Sequence, residues 1–285
     1  MYRVVFAYTA MCLIWGTTWL GIKIGLHTLS PIPGVGLRFV IAGLFLYAVA
    51  AWRRELRPLR EYPWRVIAVL ATLLFGVNYV LTYTAETHLD SGLVSVLFGT
   101  LPFYTFAFGA LMIGERSGPR AWIGAVLAFA GVAVISLTSE VRASIPFALC
   151  SLLAAAVAAF SNVYAKKHSH HAPLLTLPPA MLLSGIAVSL IGFAVAPTNW
   201  GAVFTPVSLG ALLYLAILGS GIAFFLMMWL LQRIPAYAIG LASLIFPVIA
   251  LTVGALFGGE HFGTRELLGS ALVIVGLGFA LTRPV

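Results

Sequence analysis

The chain has 285 residues, of which 61% are hydrophobic and only 8% charged, an apolar share well above that of a soluble domain. Membrane helices of about 20 residues each fill this length without leaving room for a folded soluble domain, so cofactor folds with polar surfaces are excluded. Long apolar runs exclude an outer-membrane barrel, whose strands alternate polar and apolar positions. The net charge of +8 is scattered in short pieces between those runs and offers no continuous surface for nucleic-acid phosphates.

Charge clusters and Pro/Gly turns divide the chain into ten predicted spans near 4–26, 32–52, 66–85, 91–113, 121–138, 145–165, 174–196, 208–231, 236–258 and 265–282. The first follows one basic residue, Arg3, and is too long for a signal-peptide core. It carries Trp15, Thr18 and Trp19 at i, i+3 and i+4, on one helix face, with Lys23 near its end. Arg38 falls in the second span. A cation at the bilayer centre costs about 2.5–3.5 kcal/mol, so Lys23 and Arg38 either snorkel or cap a span end or attract a substrate carboxylate at an external mouth. The third span offers Asn78, Tyr79 and Tyr83. The fourth contains Pro102 and the ninth Pro247. Each removes a backbone donor, frees the carbonyl of Phe98 or Ser243, and predicts a kink or hinge. Spans five and ten are dense in small residues and read as packing elements.

The sixth span presents Ser161 and Asn162, which correspond to Thr17 and Thr18 at an offset of 144, and the eighth contributes Phe224 and Met228. Lys166 and Lys167 read as ordinary cytoplasmic charges. His168, His170 and His171 have no Cys, Asp or Glu beside them and read as a polar connection, so no metal site is expected. Cys12 and Cys150 lie in apolar runs as packing residues. No nucleophile, base and orienting acid share a neighbourhood, so no catalytic residues and no cofactor are expected. The acids Glu55, Glu61, Glu86, Asp90, Glu115, Glu140, Glu260 and Glu266 all fall in connections or at span ends. That disfavours proton coupling through a buried carboxylate.

The sixteen Lys and Arg residues set the sidedness. With the N-terminus in the cytoplasm, the cytoplasmic connections and termini hold Arg3, then Arg53, Arg54, Arg57, Arg60 and Arg65, then Arg116 and Arg120, then Lys166 and Lys167, then Arg233 and Arg283. Outside are Arg142 and Arg265. Both termini are therefore expected in the cytoplasm.

An offset of 145 pairs the two halves. From Pro102/Pro247 it runs through Gly109/Gly254, Ala110/Ala255, Leu111/Leu256, Gly114/Gly259, Glu115/Glu260, Gly118/Gly263, Arg120/Arg265, Gly124/Gly269 and Leu127/Leu272 to Gly131/Gly276. Upstream, Leu70/Leu215, Ala71/Ala216, Leu73/Leu218, Gly76/Gly221 and Leu81/Leu226 keep it. Five spans per copy force the second copy to enter the membrane from the other side. The expected fold is an all-α polytopic membrane protein of ten transmembrane helices, two inverted-topology five-helix repeats covering residues 1–140 and 141–285. Such repeats support alternating access to a midplane site.

These residues resemble the drug/metabolite transporter superfamily, specifically the ten-span EamA-type proteins. The resemblance covers nearly the whole chain. It rests on Leu13-Ile14-Trp15-Gly16 in the first span, Arg38-Phe39 in the second, and the twice-repeated Pro, Gly-Glu and Gly-x6-Gly pattern. It implies export of small metabolites across a bacterial inner membrane. The aromatics look like those of amino-acid exporters, including exporters of aromatic amino acids, with drugs or other hydrophobic solutes as the alternative. A zwitterion pocket needs apolar walls and a few hydrogen-bonding groups, which makes Trp15, Thr18, Trp19, Asn78, Tyr79, Tyr83, Ser161, Asn162, Phe224 and Met228 the expected cavity contacts. The expected partners are a small-molecule substrate and the lipid bilayer. The sequence leaves the oligomeric state open, and a monomer suffices.

Overall fold

The computed structural model describes residues 2–26, 30–89, 91–136, 144–195, 205–257 and 263–281. Each apolar segment predicted above is helical. In the first half these are α1 (Tyr2–Leu26), α2 (Pro31–Trp52), α3 (Trp64–Glu86), α4 (Ser91–Phe98), α5 (Leu101–Ile113) and α6 (Pro119–Ser136). In the second half they are α7 (Ile145–Lys167), α8 (Pro173–Val195), α9 (Pro206–Leu231), α10 (Ala236–Leu241), α11 (Phe246–Phe257) and α12 (Thr264–Leu281). Among the described residues, seven helical stretches are long and apolar enough to cross a membrane, one of them Val96–Ile113 across the junction of α4 and α5. Helix is what such sequences must form where no water can satisfy the backbone. Prolines stand in the first turns of α2, α7 and α9, where the missing N–H has no helical partner to lose. The exterior is apolar: Leu111, Leu190, Leu268 and Val275 are 60–81% exposed, as lipid contact requires.

Two features depart from simple helices, and each occurs once per half. Leu70–Val77 within α3 and Ile217–Ile222 within α9 are π-helical, and the 145 offset superimposes them. The fourth predicted span breaks between α4 and α5, and the ninth breaks through a 3-10 turn, Ala242–Leu244, before α11. The interruptions fall at Phe98, where α4 ends, and at Ser243 in the 3-10 turn, the residues whose carbonyls Pro102 and Pro247 free four positions later. Pro102 and Pro247 each sit in the first turn after the break, where proline is tolerated because that N–H needs no helical acceptor.

Contacts between the halves are reciprocal. Helices α2 and α8 touch through backbone: a Cβ at Gly36 would lie 2.5 Å from the Ser189 nitrogen, and one at Gly185 2.5 Å from that of Val40. Likewise, a Cβ at Gly43 would meet the Leu182 nitrogen at 2.8 Å and one at Gly192 the Pro33 nitrogen at 2.7 Å. An offset of 149 exchanges each member of these pairs for its counterpart. Helices α6 and α12 behave the same way, with Gly131 against Gly269 and Gly124 against Gly276. At their ends Arg265 donates to the Val134 carbonyl, while Arg120 lies over the ring of Phe279, 145 residues beyond Val134. The first helices cross over: α1 packs on α9 and α11, and α7 on α3, α4 and α5.

Candidate functional site

A cavity of about 110 Å³ lies where the crossed helices and the broken ones meet, walled by α1, α2, α3, α4 and α5 from the first half and α7, α9, α10 and α11 from the second. Its apolar side is a run of aromatic edges. Trp15 meets Phe224 at 5.2 Å and Phe246 at 5.9 Å, both edge-on. Phe224 in turn meets Phe75 at 4.9 Å, and Phe39 meets Tyr79 at 4.8 Å. Edge-to-face packing places positive ring edges against negative faces and fixes the rings in orientation as well as position. The π turn of α9 supplies an acceptor to this wall, the Gly219 carbonyl. Trp15 Nε1 donates to it at 3.1 Å and Arg38 Nη2 at 3.2 Å.

Arg38 is the main polar feature. Its side chain is buried, 2% exposed, with Nε donating to Ser220 Oγ at 2.6 Å and Nη1 to the Tyr83 hydroxyl at 3.4 Å. Its guanidinium carbon sits 5.1 Å from the Tyr79 ring centre, within cation–π range. Of the alternatives drawn from sequence, snorkelling is set aside, because the Arg38 side chain turns inward. Distance along the chain to a span end measures depth, whereas the acceptors on α3 and α9 decide where the side chain turns.

Asn78 and Asn162 are buried at 5% and 7% exposure and line the same cavity. Asn78 donates from Nδ2 to the Leu74 carbonyl at 3.2 Å. The Oδ1 atoms of both asparagines are buried without a hydrogen-bond partner. Thr18 lines the cavity with its hydroxyl turned to the Trp15 carbonyl at 2.7 Å. Of the predicted contacts, then, Trp15, Thr18, Asn78, Tyr79, Tyr83, Asn162 and Phe224 share one wall.

Ser161 and Met228 do not line that cavity. Ser161 is fully buried and donates to the Val157 carbonyl of its own helix at 2.7 Å. Met228 faces a smaller pocket beside His168 and Gln232, and Met227 takes its place on the wall, because neighbouring helix positions point about 100° apart. The side chains of Trp19 and Lys23 lie outside the described residues, as do Asp90, Glu140, Arg142, Glu260 and Arg283. Sequence reasoning missed Thr82, Phe98, Leu101, Ser243 and Phe246. The repeat held the signal: the 145 offset carries Thr82 to Met227, Phe98 to Ser243 and Leu101 to Phe246.

At the end of the bundle where α5, α7, α9 and α10 converge, Lys166 does more than add a charge. It donates to the carbonyl of Leu231, the last residue of α9, at 2.5 Å and to the Ile234 carbonyl in the connection beyond at 2.9 Å. Gly114, at φ +70°, ends α5 in the left-handed conformation, and Glu115 N donates back to Gly109 O at 3.0 Å. That turn aims Glu115 at α10, where its Oε2 accepts the Ala236 N–H at 2.8 Å while Oε1 stands 4.0 Å from Lys166 Nζ. Nearby, His170 and His171 pack at 4.0 Å between ring centres. His171 is held below its ordinary imidazole value by partial burial and by the charges of His170 and His168.

Apolar helices with a lipid-type exterior around an internal polar and aromatic cavity define a polytopic helical membrane protein with an internal cavity. The chain belongs to the EamA-like transporter family, whose model matches twice, over residues 3–137 and 145–282. It is 26% identical to the uncharacterized transporter YoaV of Bacillus subtilis (strain 168), over 97% of this chain and 96% of that one. It is 29% identical to the uncharacterized inner membrane transporter YedA of Escherichia coli (strain K12), over 94% and 87%. A protein of the same organism named as a probable amino-acid metabolite efflux pump is 27% identical over 93% and 90%. A solved crystal structure superposes with a TM-score of 0.86 over 99% of this chain and 97% of that chain, at 20% identity. That likeness establishes the fold.

Proposed function

We propose that the protein exports small metabolites, foremost amino acids including aromatic ones, across a bacterial inner membrane in which both of its termini face the cytoplasm. Ten membrane helices form two inverted five-helix repeats, residues 1–140 and 141–285, that expose the cavity alternately to the two sides. The observation that carries this reading is the position of the cavity between the halves, with walls drawn from matched positions such as Tyr79 and Phe224. The reciprocal glycine contacts, the paired π turns and the paired helix breaks support the repeat. Broken helices at an internal site are how inverted-repeat transporters present backbone groups to a solute. The name of the efflux-pump relative supports amino acids as cargo. No carboxylate among the described residues lines the cavity, which supports a facilitator moving solute down its own gradient.

Counterflow tests this directly. Purified protein in liposomes preloaded with unlabelled phenylalanine is expected to accumulate labelled phenylalanine transiently without an imposed pH gradient. Exchange that strictly required a pH gradient would overturn the facilitator mechanism. Absence of exchange for every amino acid tested, in protein that remains folded, would overturn the cargo.

A further inference from the structure

We infer that the cavity recognises the two charged ends of an α-amino acid separately, Arg38 receiving the carboxylate and the Oδ1 atoms of Asn78 and Asn162 receiving the ammonium. This rests on the transport reading above and narrows it to zwitterions. Arg38 is a buried cation whose hydrogen-bond partners, Ser220 Oγ, Tyr83 OH and Gly219 O, are all neutral. Among the described residues the ion pairs are Arg53–Glu55 and Lys166–Glu115; Glu86 interacts with the Arg38 charge from beyond ion-pair distance, so no described carboxylate is bonded to the guanidinium. A buried charge with no bonded counter-charge is costly. A guanidinium carries five N–H donors, and three bonds leave a pair for a planar, bidentate anion such as a carboxylate.

The amine end needs the opposite chemistry. An ammonium is donor-only, and the cavity holds two buried acceptors without partners, Asn78 Oδ1 and Asn162 Oδ1. The Asn78 amide cannot be turned around to donate instead, because its Nδ2 is held by the Leu74 carbonyl and a flip would set two oxygens together. Asn78 stands on α3 and Asn162 on α7, so one ammonium would draw on both halves of the chain. The side chain is left to the aromatic edges of Trp15, Phe224 and Phe246.

The test is competition against labelled phenylalanine in wild-type proteoliposomes, using phenethylamine, which lacks the carboxylate, and 3-phenylpropionate, which lacks the amine. Each is expected to compete about 10- to 100-fold less well than phenylalanine, the loss of a charged hydrogen-bonded contact. R38M is expected to erase the preference for phenylalanine over phenethylamine, and N78L/N162L the preference over phenylpropionate. Equal competition by all three compounds in wild-type protein overturns the two-ended recognition while leaving amino-acid transport standing. Preference for phenylpropionate over phenylalanine overturns the ammonium subsite and makes the site one for organic acids. Failure of phenylalanine itself to exchange overturns both the cargo and this reading.

Discussion

Replacing Lys166 with Met should loosen one end of the bundle. The ammonium makes two hydrogen bonds to backbone carbonyls, at 2.5 and 2.9 Å, and a hydrogen bond from a charged donor is worth about 1.5–3 kcal/mol. The Lys166 side chain is 21% exposed, so the lower figure applies, and two such bonds give about 3 kcal/mol, roughly a 100-fold bias. If these bonds are made only in the form closed at this end, a form open there and populated at about 1% would rise to about half. With the proposed topology, which puts this end in the cytoplasm, cavity accessibility from that side reads this out. With Cys12 and Cys150 replaced by Ala, a single cysteine at Ser243, on the cavity wall, is labelled by an impermeant maleimide in inside-out vesicles. K166M should raise the labelling rate by at least about tenfold, and K166R, which keeps the charge and the donors, should raise it far less. Equal rates in K166M and wild type, with normal expression and melting, would show that this contact does not hold the cytoplasmic end shut.

Gly131→Leu should lower the melting temperature and yield of detergent-solubilised protein, because even a Cβ there would lie 2.5 Å from the Gly269 carbonyl and overpacking typically costs about 1–3 kcal/mol. Melting equal to wild type would mean that α6 and α12 do not need backbone contact. Trp15→Ala should weaken aromatic substrates severalfold in counterflow and alanine less, since aromatic pairs are worth about 0.5–1.5 kcal/mol beyond area burial. A uniform loss for all substrates would assign Trp15 to scaffold packing. His171 binds its proton less readily in the folded chain than an ordinary imidazole, whose pKa is about 6.5, so the stability linked to it is present above that value and lost as pH falls through the lowered one. H171N should flatten that acid-side decline in thermal melts, and an unchanged slope would remove His171 as its source.

Apolar runs and charge clusters placed the helices because both are local properties of the chain. The π turns escaped, since Leu70–Val77 and Ile217–Ile222 have the same apolar composition as the α-helix on either side. Pro102 and Pro247 were visible, and the interruptions at Phe98 and Ser243 lie four residues before them, where a missing backbone donor acts. The bonding of Arg38 and Lys166 was hidden for a different reason. Each is oriented by acceptors far away in sequence, Ser220 and Gly219 for one, Leu231 and Ile234 for the other, and charge counting is blind to direction.

The repeat explains why the scaffold was easier to read than the site. Gly124/Gly269 and Gly131/Gly276 stayed identical because each must admit a helix backbone at a distance that any Cβ would violate, and the two-fold contact makes the same demand of both copies. Cavity positions face no such demand. Tyr79/Phe224, Thr82/Met227, Phe98/Ser243 and Leu101/Phe246 keep the offset, and both members of each pair line the cavity, yet no pair is identical. Under the two-ended recognition proposed above, a solute with unlike ends would present different chemistry to the two halves and leave matched positions free to diverge: Asn78 corresponds to Ala223 and Tyr83 to Met228. A search for identity across the halves therefore finds the packing seams. A search for cavity residues should take the same offset and look for matched positions where identity has been lost.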